Sequence, residues 1–434
     1  MLTLTNLTWL DICLAGVGTY LVKQVFTKKN PALYAPGPPG WPVIGNVSDM
    51  PHIKPWLTFA EWGKKYGDIS HIKALGQHII VLNSSRTAME MLDKKSSMYS
   101  DRPVFPMADI VGWKDTLVLL PYGDHLRWNR KNFHRLVGTP TAVKVYHPIE
   151  QIETHRFLKR VLAEPGELMG HIRHTAGAVI LCISYGYEVQ EKNDPFVDLA
   201  DRALVIFSKS TAPGAWMVDI IPSSSHDLTI LVAKVPEWFP GAGFKRVARE
   251  WSLIVEEMIS APFQFVKDQI AAGIAPKSFT SSLLEGTFSA EEQHMFKCTA
   301  ASLYGAGSDT TVSSIYAFFL AMTLFPDVQK KAQAEIDAVV RTLHREPRLT
   351  SRRQFSDIAF LGCPGLHLAD ASVWISTAMS LAVFNISKVV ENGVEITPEL
   401  DSTSGLISHP KPYKCSIKPR SAKALALIKQ DANY

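Results

Sequence analysis

Cys363-Pro364-Gly365, followed by the apolar run Leu366-His367-Leu368-Ala369, sets a sulfur at the start of a helix. Proline is at home in a first helical turn, where its missing N–H has no partner to lose. The orphan N–H groups and the positive end of the helix dipole favour a thiolate over a thiol. A thiolate with an open face before it suits a haem iron that activates oxygen. The same residues also suit a half-buried structural cysteine ahead of an ordinary helix.

A second polar spot interrupts an apolar run. Ser289-Ala290-Glu291-Glu292 has capping-box form, a serine whose third following residue is a glutamate, and Pro326 closes the run. The spacing predicts one helix of ~35 residues, or ~50 Å at 1.5 Å each, long enough to cross a domain. Its middle is apolar on most sides (Ala300, Leu303, Tyr304, Ile315, Phe319), as a core helix requires. Inside it lies Ala306-Gly307-Ser308-Asp309-Thr310-Thr311. Buried polar groups are costly unless bonded, and a mid-helix glycine costs ~1 kcal/mol against alanine. Thr310 has the spacing to bond back to the Ala306 carbonyl and bend the helix. Such a spot makes room for a ligand and a water, or is a kink without chemistry.

Two further stretches would position these groups. His125-Leu126-Arg127-Trp128-Asn129-Arg130-Lys131 opens a helix dense in cations. It is either a solvated basic face or a clamp for a buried carboxylate or phosphate, with Arg127 and Arg130 three apart. The segment from Asp101 to Asp124 reads as an apolar loop containing Phe105, Met107, Val111 and Leu117, which lines a pocket or packs on a core. The pattern also predicts strand at Asn46-Val47, a helix from Trp56 to Tyr66 and a strand from His78 to Asn83. Cys415 alternates like a strand residue, and Ser223 to Asp227 looks like an added loop.

At 434 residues, 46% hydrophobic and mean hydropathy +0.03, the chain is one large domain or two ordinary ones. A net charge of +4 gives no reason to expect a nucleic-acid partner. Five scattered cysteines (Cys13, Cys182, Cys298, Cys363, Cys415) fit neither a disulfide framework nor paired zinc spacings, which points to a reducing compartment. Cys363 and His367 lie four apart, but two ligands are too few for a structural zinc. Leu7 to Phe26 is largely apolar, broken by Asp11 and followed by Lys28 and Lys29. It is long enough for a bilayer core of ~30 Å, and the lysines would keep the body in the cytosol. A buried or interfacial N-terminal helix is the alternative. Pro36-Gly37-Pro38-Pro39-Gly40-Trp41-Pro42 reads as a stiff hinge. The expected organisation is an anchor over residues 1–30 and a body over 31–434.

Cys363-Pro364-Gly365, the Ala306–Thr311 segment and the proline-rich hinge after an anchor together resemble the cytochrome P450 superfamily. A closer likeness, to microsomal fungal P450s of secondary metabolism, rests on three stretches: Phe239 to Arg246, Ala332-Gln333-Ala334-Glu335-Ile336-Asp337, and Thr403 to Pro410. The resemblance implies a mainly α P450 fold, helix-rich with small β-sheets, plus an N-terminal transmembrane helix. It implies haem b with Cys363 as the axial thiolate, and Asp309 and Thr310 as an acid–alcohol pair that moves protons. Ala306 and Gly307 would leave space over the distal haem face. Arg130 would pair with a haem propionate, and Leu126 stands where the family often has Trp. Phe105, Met107, Val111 and Leu117 would belong to the substrate wall.

The departures lie on the proximal side. No Glu-x-x-Arg occurs between Pro326 and Cys363, and roughly eighty residues are absent between about 341 and 362, a small domain's worth of packing. Ala359 and Leu361 stand where the family has a Gly-rich bulge whose amides support the sulfur. The function implied is a haem-thiolate monooxygenase oxidising an apolar secondary metabolite, a terpenoid or aromatic. It would use O2 and electrons from NADPH through a P450 reductase, on a single-pass protein of the endoplasmic reticulum with a cytosolic body. The alternative is a non-catalytic, haem-deficient P450-like protein. A hydrolase has no support, since neither Gly-x-Ser-x-Gly nor His-Glu-x-x-His occurs.

Overall fold

The computed structural model describes residues 34–42, 44–51, 53–212, 215–220, 242–342, 363–405 and 407–430, together with Gly18. The expected anchor (Gly18 apart), the stretch from Ser223 to Asp227 and the segment 343–362 lie outside the described residues.

Contacts divide the chain into two compact units, Met1–Ser96 with Ile220–Ser224, and Ser97–Asp219 with Ser225–Tyr434. In the first, helix α1 (Pro55–Tyr66) precedes strands β1 (Ile69–Ala74) and β2 (Gln77–Leu82). The strands pair antiparallel, and the turn residues Leu75 and Gly76 have φ of 47° and 91°. Positive φ at both positions matches the twist of a tight hairpin. The sequence pattern finds α1 and β2 but not β1, which buries Ser70 beside Ile72, a serine where an apolar residue is sought. Where strand is expected at Asn46-Val47, Val47–Asp49 folds as a 3-10 turn instead.

The second unit holds α2 (Pro106–Val111), α3 (Asp124–Val137), α4 (His147–Ala163), α5 (Leu168–Tyr185) and α6 (Pro195–Ser210). It continues with α7 (Phe244–Ala271), α8 (Ala290–Leu324), α9 (Pro326–Thr342), α10 (Leu366–Val383) and α11 (Ala422–Lys429). Two short antiparallel pairs complete it: β3 (Phe384–Ser387) with β6 (Ser416–Pro419), and β4 (Val389–Glu391) with β5 (Val394–Ile396). Cys415 falls just before β6 rather than within a strand.

Helix α8 organises this unit. The Glu292 N–H donates to the Ser289 hydroxyl while the Ser289 N–H donates to the Glu292 carboxylate, closing the capping box. The helix runs 35 residues to Leu324, and α9 leaves at 109° with Pro326 in its first turn. Two hydrophobic cores meet α8 at different heights. One takes Phe296, Ala300, Leu303 and Tyr304; the other takes Val312, Ile315, Phe319 and Met322. Helix α5 visits the same cores in the reverse order, Ile172 and Ala176 before Ile180 and Ile183, so the two helices run antiparallel. The polar segment Ala306–Thr311 falls in the gap between the cores.

Helices α5 and α8 approach closely at Gly307. A Cβ there would lie 2.6 Å from both Cδ1 and Cγ1 of Ile180. Gly307 therefore packs one helix on another, in place of its expected role as a spacer over an open face. Ala306 does stand exposed, and α8 is unbroken α-helix through the polar segment. The Thr310 hydroxyl donates to the Ala306 carbonyl at 2.7 Å without interrupting it.

Gly307→Ala is expected to lower Tm. Overpacking of roughly 1–3 kcal/mol outweighs the ~1 kcal/mol gained by removing a helix-interior glycine. Adding Ile180→Val should recover part of the loss, which thermal melts of the three proteins would check.

Candidate functional site

Cys363 is exposed and lies two residues ahead of the Gly365 N-cap, with α10 starting at Leu366. Pro364 thus sits in the turn before the cap rather than in the first helical turn, and Cys363 shares no helix face with His367. Although the residue is exposed, enough chain surrounds Sγ that desolvation pushes its thiol pKa up. The Gly365 N–H and the Arg130 charge pull it down without cancelling that effect. The start of α10 does not by itself make this thiol acidic.

The charge of Arg130 acts on the sulfur from α3, which is packed on α8. Leu126, Phe133 and Val137 bury one face of α3, and the Thr299 hydroxyl of α8 donates to the Asn129 side-chain oxygen. Arg127 turns elsewhere, pairing with Asp124 at 2.7 Å and lying 5.4 Å from the centroid of the Tyr122 ring. Of the two readings of this helix, the two-arginine clamp is not formed: the Arg130 charge acts on the sulfur, while Arg127, three positions earlier, is held by its own helix start.

On α8, Ala306, Thr310, Ser314 and Ala317 are exposed along one stripe, at the spacing of a single helical face. Asp309 points to a different side. Its Oδ1 lies 3.0 Å from Nε2 of His409 and 3.7 Å from Nη1 of Arg173, which also pairs with Asp201 at 3.0 Å. This cluster borders a cavity of ≈ 190 Å³ lined in part by Phe207 and Ser208. Burial pushes the Asp201 carboxyl up, with Arg173 opposing and Asp309 adding to the rise. The expected acid–alcohol pair is therefore split, the alcohol on the open stripe and the acid among ions. Sequence reasoning missed Arg173, Asp201 and His409, which come from α5, α6 and the C-terminal segment; no local spacing announces them.

The apolar loop before α3 is partly helical. Proline opens α2 and Gly112, at φ 113°, ends it. Met107 and Val111 are 0% and 1% exposed and fill the core, so the wall expected of them is packed interior. Phe105 and Leu117 are half-buried against that core. The Leu117 N–H donates to the Ser302 hydroxyl of α8 at 2.9 Å, and the Met107 N–H to Asp219 Oδ1 at 3.0 Å.

The cytochrome P450 family model matches residues 35–356. The chain belongs to the cytochrome P450 family. Cytochrome P450 monooxygenase 208 of Postia placenta is 43% identical over 477 residues, covering 91% of this chain and 91% of its own. Cytochrome P450 monooxygenase claR of Ampulloclitocybe clavipes is 37% identical over 505 residues, covering 96% of this chain and 92% of its own. A zebra fish cytochrome P450 solved with abiraterone shares the fold at a TM-score of 0.60 and 15% identity, covering 85% of this chain and 100% of that one. This P450 is thus a monooxygenase-family enzyme of a haem-iron class, with the helix-rich P450 fold and small antiparallel sheets. Both relatives' aligned lengths exceed its 434 residues, so they carry positions this chain lacks. The family match stops at residue 356, ahead of Cys363.

Asp219 gives this P450 a pH signature at the start of α2. Burial, opposed by the Met107 N–H and reinforced by Asp109, pushes its carboxyl from 3.8 up to about 6. A carboxyl that holds its proton more tightly folded than unfolded contributes stability at low pH, and that contribution is lost as pH rises through about 6. Asp219→Asn keeps an acceptor and removes the charge. It should stabilise the protein by roughly 1 kcal/mol at neutral pH, after allowance for solvent screening, and be neutral below about pH 4. Urea titrations at both pH values would check it.

Proposed function

We propose that this P450 is a membrane-anchored haem-thiolate monooxygenase. It oxidises an apolar secondary metabolite, a terpenoid or aromatic, with NADPH electrons delivered by a P450 reductase. One observation carries the reading: a solvent-open cysteine within the influence of an arginine's charge and a stripe of small side chains on the central helix lie in the same unit. These residues fit a haem. Cys363 would hold the haem iron through its sulfur and Arg130 would pair with a propionate. The bound haem supplies oxygen activation.

The chain's own groups would do the rest. Ala306, with its small side chain, would leave room beside a bound haem, and Thr310 would hold a proton at Oγ1 on the same stripe. Asp309, held by Arg173 and His409, would exchange protons with the cavity beside it. Phe105 and Leu117 favour an apolar substrate. Leu7 to Phe26 would anchor the chain in the endoplasmic reticulum, with Lys28 and Lys29 on the cytosolic side.

A haem-deficient P450-like protein is the second reading. It is favoured by the relatives' longer alignments, by the lack of Glu-x-x-Arg between Pro326 and Cys363, and by the missing Gly-rich bulge before Cys363. Each lost outer partner of a metal ligand costs about 10–100-fold in affinity. The proposal therefore expects haem occupancy below one per chain after purification. It also expects a thiolate-type band in the reduced carbon-monoxide difference spectrum, abolished by Cys363→Ser. No haem band in the natural chain would favour the second reading, and a band retained by Cys363→Ser would remove Cys363 as the ligand.

A further inference from the structure

We propose that Asp115, His294 and Cys298 form a binding site for a zinc-class divalent ion, linking the turn after α2 to the first half of α8. His294 and Cys298 lie four apart and share a face of α8, and Asp115 arrives from the preceding segment. Nε2 of His294 lies 3.1 Å from Oδ2 of Asp115 and 3.7 Å from Sγ of Cys298. All three donor atoms lie within 4.8 Å of one another. Bonds of ~2.0–2.3 Å in a tetrahedral site place donors ~3.3–3.8 Å apart, so closing around an ion needs only small side-chain shifts.

The donor set chooses the ion. A sulfur and an imidazole favour zinc over magnesium or calcium, whose shells are oxygen. On binding, Cys298 gives its proton to solvent and Sγ bonds the metal; nothing is oxidised. One thiolate and one carboxylate then neutralise the dication, with His294 neutral. The neighbouring Lys297 is already engaged, pairing with Glu256 at 3.1 Å and donating to Ser260 at 3.0 Å. The sulfur is shielded, since Cys298 is 4% exposed, while the His294 side chain is 52% exposed and leaves a fourth position for water. That is the layout of an exchangeable site rather than a closed structural one.

The place has a consequence. Cys298 and Ala306 are eight residues apart, ~12 Å along the helix, so the ion would not compete for the haem site. It would instead clamp the segment carrying Leu117, already bonded to Ser302, against α8.

The test uses the purified full chain, stripped with chelator, dialysed against zinc and counted for zinc and haem iron separately. The expected result is one zinc per chain, a Tm raised by zinc, and uptake weakened roughly tenfold or more in both His294→Ala and Asp115→Asn. His294 is half-exposed, so its replacement leaves the fold intact, and unchanged haem content across the series would confirm that. Cys363→Ser should keep its zinc. The proposal is overturned if the natural chain takes up no zinc, if both variants bind as well as it does, or if uptake is lost with Cys363 instead.

Discussion

The structure depends on how close α5 and α8 come at Gly307. With no Cβ there, Ile180 sits against the helix backbone and two long helices pack side by side in opposite directions. Each then serves two hydrophobic cores, one at each end. Apolar burial stabilises at about 25 cal/mol per Å² and rewards only the apolar turns. Small polar residues in the middle of α8 are thereby left between the cores, where a polar stripe costs little. Gly307 lies seven residues before Ser314, so its close packing on α5 borders the open stripe rather than opposing it.

Electrostatics then sorts the polar groups. Asp124 captures Arg127 one turn away, which leaves Arg130 as the arginine whose charge reaches Cys363. Arg173 and His409 hold Asp309 away from the stripe that carries Thr310. The two residues that family likeness treats as one acid–alcohol unit are set in different surroundings by those charges and by α-helical geometry, since neighbours in sequence point ~100° apart.

Much of the fold was legible because its signals are local. The Ser289–Glu292 capping box and Pro326 fix both ends of α8 within a few residues of sequence. The hairpin's second strand and α1 are equally plain. The site was less legible because its contacts are distant: Ile180 against Gly307, Arg173 and His409 against Asp309, and Asp219 under Met107. Met107 and Val111 show the limit of composition, since apolar side chains in a loop read alike whether they line a pocket or fill a core. Cys298 reads from the sequence as a small core residue, and its partners His294 and Asp115 are brought to it only in three dimensions. Likeness to the P450 family supplied the role of Cys363, which the helix start alone leaves open between a ligand and a structural cysteine.

The central claim is that Cys363 and the Thr310 stripe belong to opposite sides of one haem site. Low-temperature electron paramagnetic resonance of the ferric, haem-loaded chain tests both sides together. The account predicts a low-spin signal of sulfur-ligated iron that shifts on Thr310→Ala. A nitrogen-ligated signal, or a sulfur-ligated one indifferent to Thr310→Ala, would contradict it.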